Sequence, residues 1–284
     1  MLTVLEVINK STEYLSSKGI ESARTNSELL LAAILQCKRL DLYLMYDKPL
    51  SEAELNKYRA YLKRRGEFEP LQYITGSVEF YGLEFKISPS VLIPRPETEI
   101  LVETLIASVN SKDEINILDI GTGCGNIGIA VAINLPNVNI TAIDISKEAI
   151  AIAETNTAKY ELQNRINYLC IDILIADPEQ FSNFDIIVSN PPYVSKSEYM
   201  RLQEEIKYYE PETAVTDISN GLTFYKVITP LAKRILNKNG KLFFELGHGQ
   251  SEQVKRILEE NGFIEISIMK DYGKIDRVIS GVAN

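Results

Sequence analysis

A chain of 284 residues, 45% apolar and 24% charged, has the composition of a folded globular protein with one large domain or two modest ones, which excludes a disordered chain. Its 15 Gly and 11 Pro exclude a collagen-like chain, a net charge of −9 speaks against a dedicated duplex-DNA binder, and no apolar run approaches the ~20 residues of a membrane helix. Cys37, Cys124, Cys170 and the single histidine, His248, form no metal-ligand spacing, so neither disulfides nor a metal site is expected. The start Met1-Leu2-Thr3-Val4-Leu5-Glu6 has no basic segment ahead of an apolar core, so no secretory signal and a reducing, cytoplasmic setting are expected.

The first seventy residues read as helices. Thr3-x-x-Glu6 is a capping-box pattern, and Val4, Leu5, Val7, Ile8 and Leu15 follow at roughly helical spacing up to Gly19. Asn26 or Ser27 opens a second helix carrying Leu29, Leu30, Ala33, Ile34 and Cys37. Ser51-x-x-Glu54 opens a third, with Leu55, Tyr58 and Leu62 on one side. Lys63-Arg64-Arg65 ends it, where cations suit the negative end of the helix dipole. Residues 1–70 are therefore expected to form a small helical domain. Leu71–Gly76 and Val78–Ile87 then mix β-branched and aromatic residues around Gly82, which predicts a β-hairpin linker over 71–96. The linker ends in Ile93-Pro94-Arg95-Pro96-Glu97-Thr98-Glu99, an extended run leading into a helix.

From residue 97 to 284 strands and helices alternate. Strands are expected at Ile115–Ile120, Val138–Ile143, Ile166–Ile171, Phe184–Ser189 and Lys241–Leu246, with helices such as Asn126–Asn134 and Lys147–Tyr160 between them. Strands apolar on both faces and separated by helices predict an α/β fold, a Rossmann-like and mostly parallel sheet covered on both sides. After a helix at Glu252–Glu260, strands at Phe263–Met269 and Arg277–Val282 are joined by a loop too short for a parallel crossover, so the last pair is expected to be antiparallel.

Two turns carry the chemistry. Leu118-Asp119-Ile120-Gly121-Thr122-Gly123-Cys124-Gly125-Asn126-Ile127-Gly128 reads as strand, glycine-rich turn and helix start, a place where bare main chain admits a ligand. Asp144 ends the next strand, where a carboxylate can take both hydroxyls of a ribose. The ligand is either a dinucleotide, which Gly123-x-Gly125-x-x-Gly128 formally fits, or S-adenosylmethionine. Asp119 favours the second, because an acid at the strand end can face a cationic amino-acid group and would repel a pyrophosphate. No Walker-type Lys-Ser/Thr follows, which excludes a phosphate-loop NTPase.

Asn190-Pro191-Pro192-Tyr193 ends the fourth strand beside that turn. Two prolines stiffen the backbone and remove two N–H donors, leaving the Asn190 side-chain oxygen and the Pro191 carbonyl as a rigid pair of acceptors. Tyr193 offers a flat face for stacking. Two acceptors and an aromatic plate match a planar NH2 group: accepting both N–H bonds raises electron density on nitrogen and stabilises the positive charge developing there. No strong general base is required, since the nitrogen becomes very acidic once methylated. His248 lies in a polar Gly-rich loop and receives no role, Cys124 is expected to pack rather than react, and Tyr208 and Tyr209 in the polar run Glu204–Glu212 are expected to cover the sheet.

With these residues in view the chain resembles the release-factor glutamine methyltransferases, the PrmC/HemK family, over nearly its whole length. The resemblance rests on the helical N-terminal region, Thr75-Gly76 with its hairpin, Arg95-Pro96-Glu97-Thr98-Glu99, Asp119-x-Gly121-x-Gly123-x-Gly125 and Asn190-Pro191-Pro192-Tyr193. It implies a class I methyltransferase sheet, S-adenosyl-L-methionine as cofactor, an N-terminal domain that docks the substrate, and N5-methylation of the glutamine in the Gly-Gly-Gln tip of bacterial class I peptide chain release factors, a step in translation termination. It further implies that Gly121, Thr122, Gly123, Cys124 and Gly125 line the methionine part of the cofactor, that Asp144 holds the ribose, and that Asp172 and Ile173 lie against the adenine. Some relatives carry a Trp where this chain has Ile173. Asn190, Pro191, Pro192 and Tyr193 would hold the substrate amide, with Asn190 also beside the cofactor and Asn190 and Pro191 acting in catalysis. Arg95–Glu97 would sit in a loop over the pocket. No membrane and no stable nucleic-acid partner are expected. The alternatives are an N6-adenine nucleic-acid methyltransferase, which needs a basic, aromatic-lined surface and a flipped base; methylation of a glutamine in another translation protein; a cofactor-binding docking module; and a nicotinamide dehydrogenase.

Overall fold

The computed structural model describes residues 2–110, 113–181 and 183–284. The described chain forms two units, one running to Ser77 and taking in Gln203–Tyr209, the other holding Val78–Leu202 and Glu210–Asn284.

The first unit contains helices α1 (Val4–Ser17), α2 (Ala23–Leu35), α3 (Glu52–Gly66) and α4 (Leu71–Thr75), with a 3-10 turn at Arg39–Met45. Both expected capping boxes form: the Glu6 amide donates to Thr3 and the Thr3 amide to Glu6, and Ser51 and Glu54 repeat the exchange. The second helix starts earlier than expected, at Ala23, so Asn26 lies within its first turns and its side-chain amide donates to the carbonyls of Glu21 and Ser22. Leu71–Thr75 is a helical turn and not a strand, because the Tyr73 and Ile74 amides close back onto the Pro70 carbonyl and Gly76, at φ +81, ends it. The core gathers Val4, Ile8, Leu30, Leu31, Leu42, Leu50, Leu55 and Tyr58. Each such side chain contributes roughly 1.5–3 kcal/mol on leaving water. The Tyr58 hydroxyl donates to the Ser27 carbonyl at 3.1 Å, and burial pushes its pKa up to about 12.

The basic end of α3 is largely consumed by partners. Arg64 binds Glu69 through two nitrogens. Arg65 is 4% exposed and donates to Asn26 Oδ1 at 2.7 Å, to the Glu69 carbonyl and to Glu205. Tyr209 donates to the Glu67 carbonyl at 2.7 Å. The segment Gln203–Tyr209 therefore covers this helical unit, not the sheet as expected, while the Tyr208 ring is exposed.

A hairpin precedes the large sheet, β1 (Ser77–Phe80) and β2 (Leu83–Lys86), turned by Tyr81 and Gly82, both at positive φ. Then come α5 (Thr98–Ala107), β3 (Ile115–Ile120), α6 (Asn126–Asn134), β4 (Val138–Asp144), α7 (Lys147–Lys159), β5 (Ile166–Cys170), β6 (Phe184–Ser189) and β7 (Leu236–Glu245), the last preceded by a helix at Thr223–Ile235. A helix at Ser251–Glu260 leads to β8 (Phe263–Lys270) and β9 (Asp276–Ala283). Asn156 on α7 ties in the hairpin, accepting from the Lys86 amide and donating to the carbonyls of Lys86 and Cys124.

The seven strands lie in the order β5-β4-β3-β6-β7-β9-β8. β3 to β7 pair in parallel, while β9 pairs antiparallel with both β7 and β8. The expected antiparallel pair is present, and its second strand sits inside the sheet rather than at its edge. The chain leaves β3 toward β4 and β5 on one side and returns to β6 and β7 on the other. The crevice at this switch opens above the carboxyl ends of β3, β4 and β6.

Candidate active site

A cavity of about 270 Å³ occupies that crevice. Its floor is Ile120, Gly121 and Gly123 after β3, and Ile143, Asp144 and Ser146 after β4. Asp172 and Ile173 follow β5, Asn190, Pro191 and Pro192 follow β6, and Ser90–Leu92 close another side. Ser189, the last residue of β6, is buried and donates to the Ile120 carbonyl at 2.8 Å, which fixes the strand end ahead of Asn190.

Gly121 and Gly123 both have positive φ, and a Cβ added to either meets nothing within 4 Å. Bare main chain thus borders open space, the condition for close approach of a ligand. Gly125 answers to packing instead, since a Cβ there falls 2.9 Å from the Tyr168 hydroxyl and 3.3 Å from Ala153. Thr122 and Cys124 are buried outside the cavity wall. Burial pushes the Cys124 thiol up to about 12, which makes it an unreactive packing group.

Asp144 accepts from the Gly123 amide and the Ser146 amide, both at 2.9 Å. Each oxygen keeps a lone pair for a donor from the cavity. Burial raises its pKa and the amide bonds pull it down, with the rise prevailing. Asp119 departs from expectation. It is fully buried beneath the start of α6, with Oδ2 taking the Thr122 hydroxyl at 2.7 Å and Oδ1 lacking a partner among the described residues. Desolvation, aided by nearby Asp144, raises its pKa to about 7. It shapes the glycine turn from below and does not border the cavity as a counter-charge.

The Asn190 side chain is anchored at its nitrogen end. Nδ2 donates to the Thr98 hydroxyl at 3.2 Å, and Oδ1 takes no hydrogen bond among the described residues, which leaves it as an acceptor. Tyr193 lies outside the cavity wall, with its ring packed on the sheet's core cluster and its hydroxyl donating to Glu245 Oε1 at 3.1 Å. Burial and the adjacent carboxylate both drive the Tyr193 pKa upward. Glu245, at the end of β7, is 1% exposed, its Oε2 has no hydrogen-bond partner among the described residues, and burial raises its pKa to about 7.

Arg95–Glu97 do not border the cavity. Arg95 pairs with buried Glu210, which also takes the Ile93 amide, and Glu99 accepts from the Tyr81 amide at 2.8 Å. The Arg-Pro-Glu-Thr-Glu run is a set of anchors in which Thr98 serves the site. Sequence reasoning passed over Thr98, Glu245 and Gln250. An acid at the end of an otherwise apolar strand, Leu242-Phe243-Phe244-Glu245, was a usable signal for the second. The side chain of Gln250 donates to the Tyr193 carbonyl and accepts from the Gly247 amide, while neighbouring His248 remains unassigned.

Comparison with known proteins agrees with this geometry. A family model of the PrmC N-terminal domain matches residues 6–76, and one of the methyltransferase small domain matches residues 96–207. The release factor glutamine methyltransferase of Fusobacterium nucleatum is 44% identical over 276 residues, 97% of this chain and 77% of the relative. That of Geobacter sulfurreducens is 39% identical over 279 residues, 98% of this chain and 96% of the relative. The crystal structure of a methyltransferase from Pyrococcus furiosus shares the fold, with a TM-score of 0.52 at 19% identity over 72% of this chain and 91% of that one. With likeness of this strength running through both units, the chain belongs to the release factor glutamine methyltransferase family.

Proposed function

We propose that this enzyme transfers a methyl group from S-adenosyl-L-methionine to the side-chain amide nitrogen of the glutamine in the Gly-Gly-Gln motif of class I peptide chain release factors. The observation that carries the reading is Asn190, tethered by its nitrogen to Thr98 so that its oxygen stays available beside a cavity walled by Gly121, Gly123 and Asp144.

The residues present fit the cofactor. Open space over Gly121 and Gly123 suits its amino-acid part, Asp144 keeps acceptor capacity for ribose hydroxyls, and Ile173 with Leu174 supplies an apolar wall for the adenine. When bound, it supplies an electrophilic methyl carbon on a sulfonium. The remaining work falls to the chain. Asn190 Oδ1 and the Pro191 carbonyl accept the two amide protons of the substrate, hold its nitrogen in place and stabilise the charge that builds on it. The product nitrogen is acidic and gives its extra proton to solvent.

The N-terminal unit is assigned to docking of the folded substrate, with Leu40 and Leu44 exposed on its 3-10 turn as apolar contact residues. Arg64 and Arg65 are engaged with Glu69 and Glu205, which weakens the case for a nucleic-acid substrate. Mass spectrometry of a release factor incubated with enzyme and methyl donor tests the reading. A gain of one methyl mass confined to the Gly-Gly-Gln peptide is expected, and a gain elsewhere or none refutes it.

A further inference from the structure

Resting on the reading of S-adenosyl-L-methionine as donor, we propose that Ile218 and Phe224 form a second apolar wall of the adenine site, held ready by a strained loop at 216–222, and that they set the affinity for the donor. The strand order β5-β4-β3-β6 puts the glycine turn after β3, Asp144 at the end of β4 and the segment after β5 in one row. A donor with its amino-acid part over Gly121 and Gly123 and its ribose on Asp144 has its base at the end of β5, where Ile173 and Leu174 border the cavity. A base has two flat faces, so one wall covers only half of it.

Phe224 borders the same cavity and is the only aromatic side chain among the described residues that line it. It packs against the apolar cluster that holds Ile173, which sets it at the base end of the cavity and not at the glycine turn. Its position is fixed by Asp217. One oxygen of that carboxylate accepts from the Ser219 amide at 2.8 Å and the Gly221 amide at 2.9 Å. The other accepts at 3.0 Å from the amide of Thr223, the first residue of helix Thr223–Ile235, and Phe224 is the next residue along.

Ile218 carries the second observation. Its φ is +56, and it is the only β-branched residue at positive φ in the described chain. Branching at Cβ crowds the backbone there, so the conformation is strained and persists only where its surroundings over-determine it. Here the Asp217 bonds and the Ile218 amide, which donates to the Thr216 hydroxyl at 3.0 Å, do so. The strain gains little packing within the chain, because the Ile218 side chain is 56% exposed and borders the cavity. Ile145 after β4 and Leu174 after β5 border the same cavity and are 58% and 43% exposed. Three segments thus bring exposed apolar side chains to one cavity, the arrangement that covers a flat, weakly polar ligand group. Phe224 gives the base a ring to stack on, and Ile218 gives it an aliphatic cover.

The test uses the full-length enzyme and titration calorimetry with S-adenosyl-L-methionine. Phe224→Ala raises the donor's Kd about tenfold, the scale of losing one base–aromatic stack, and Phe224→Tyr, which keeps the ring, stays within about threefold. Ile218→Gly removes the strain together with the cover: it melts no lower than the wild type yet raises the Kd about fivefold. A residue that only supported the loop would lose stability and affinity together. Adenosine, used as a competitive inhibitor, weakens in Phe224→Ala by the same factor as the donor, since the two share the base. An unchanged donor Kd in either variant, a loss that adenosine does not share, or a fall in the stability of Ile218→Gly that parallels its loss of affinity overturns the proposal. A wild type that binds no donor overturns the proposal and the donor reading together. A wild type that binds donor, shows these losses and leaves release factor unmethylated supports the adenine wall and overturns the substrate reading instead. Should Phe224→Ala not fold, Ile218→Gly decides alone.

Discussion

Gln250 Nε2 donates to the Tyr193 carbonyl at 2.8 Å, so the loop after β7 holds the proline-rich turn after β6 by its main chain. The Gln250 carbonyl end accepts from the Gly247 amide at 3.1 Å, and Gly221 packs against the same Tyr193 carbonyl from another side. Three segments thus meet on one peptide group. The turn that presents Asn190 and Pro191 is stiffened from outside as well as by its own prolines.

Gly221→Ala tests this clamp. Gly221 sits at φ +80, and an added Cβ falls 2.3 Å from the Tyr193 carbonyl oxygen and 2.7 Å from Gln250 Nε2. Backbone cannot give way as a side-chain tip can, so a loss of about 2 kcal/mol or more is expected. Chemical denaturation followed by circular dichroism measures it. A variant as stable as the wild type removes the clamp from the account.

Asn190→Ala deletes the acceptor while leaving the glycine turn and Asp144 in place. Methyl transfer falls by at least about a hundredfold, the scale of losing one preorganised polar contact to developing charge. Donor affinity, read by calorimetry, changes far less. A variant that still turns over at the wild-type rate with labelled donor contradicts the role given to Asn190.

Asp144→Ala acts on the other partner. It removes the cavity-wall carboxylate and also frees the Gly123 and Ser146 amides, so donor affinity falls about tenfold to a hundredfold. Titration calorimetry gives the Kd, and an unchanged value argues that Asp144 does not hold the ribose.

Asp119 predicts a pH dependence of stability in the donor-free enzyme. Its folded pKa, about 7, stands above the ordinary carboxylate value of 3.8. Between those pH values the native state binds more protons than the unfolded state, so stability declines as pH rises from about 4 to about 7. Glu245 adds the same sign over the same window. Asp119→Asn cannot ionise, so it gains roughly 1–3 kcal/mol over the wild type at pH 8 and little near pH 4. Denaturation at both pH values measures the difference, and an equal gain at each shows that Asp119 does not titrate with a raised pKa in the folded protein.

Local order was legible in the sequence wherever partners stand a few residues apart. The capping boxes at Thr3 and Ser51 and the elements Ile115–Ile120, Asn126–Asn134 and Phe184–Ser189 appear at the expected bounds, because propensity and hydrophobic period are written in neighbouring residues. The glycine turn, Asp144 and the Asn-Pro-Pro turn converge for a similar reason, since parallel strands joined by helices bring their carboxyl ends to one side.

Long-range partnership was decided by the tertiary structure alone. Thr98 meets Asn190 across 92 residues of chain, Arg65 meets Glu205 across 140, and β9 slips between β7 and β8. Asp119 and Glu245 are acids in apolar strands, and whether such an acid borders a cavity or lies sealed beneath a helix depends on which neighbours cover it. Composition and spacing specify the elements and the side that binds. The side-chain nitrogen of Asn190 meets a hydroxyl brought from a distant helix, a contact that exists only once the sheet has closed.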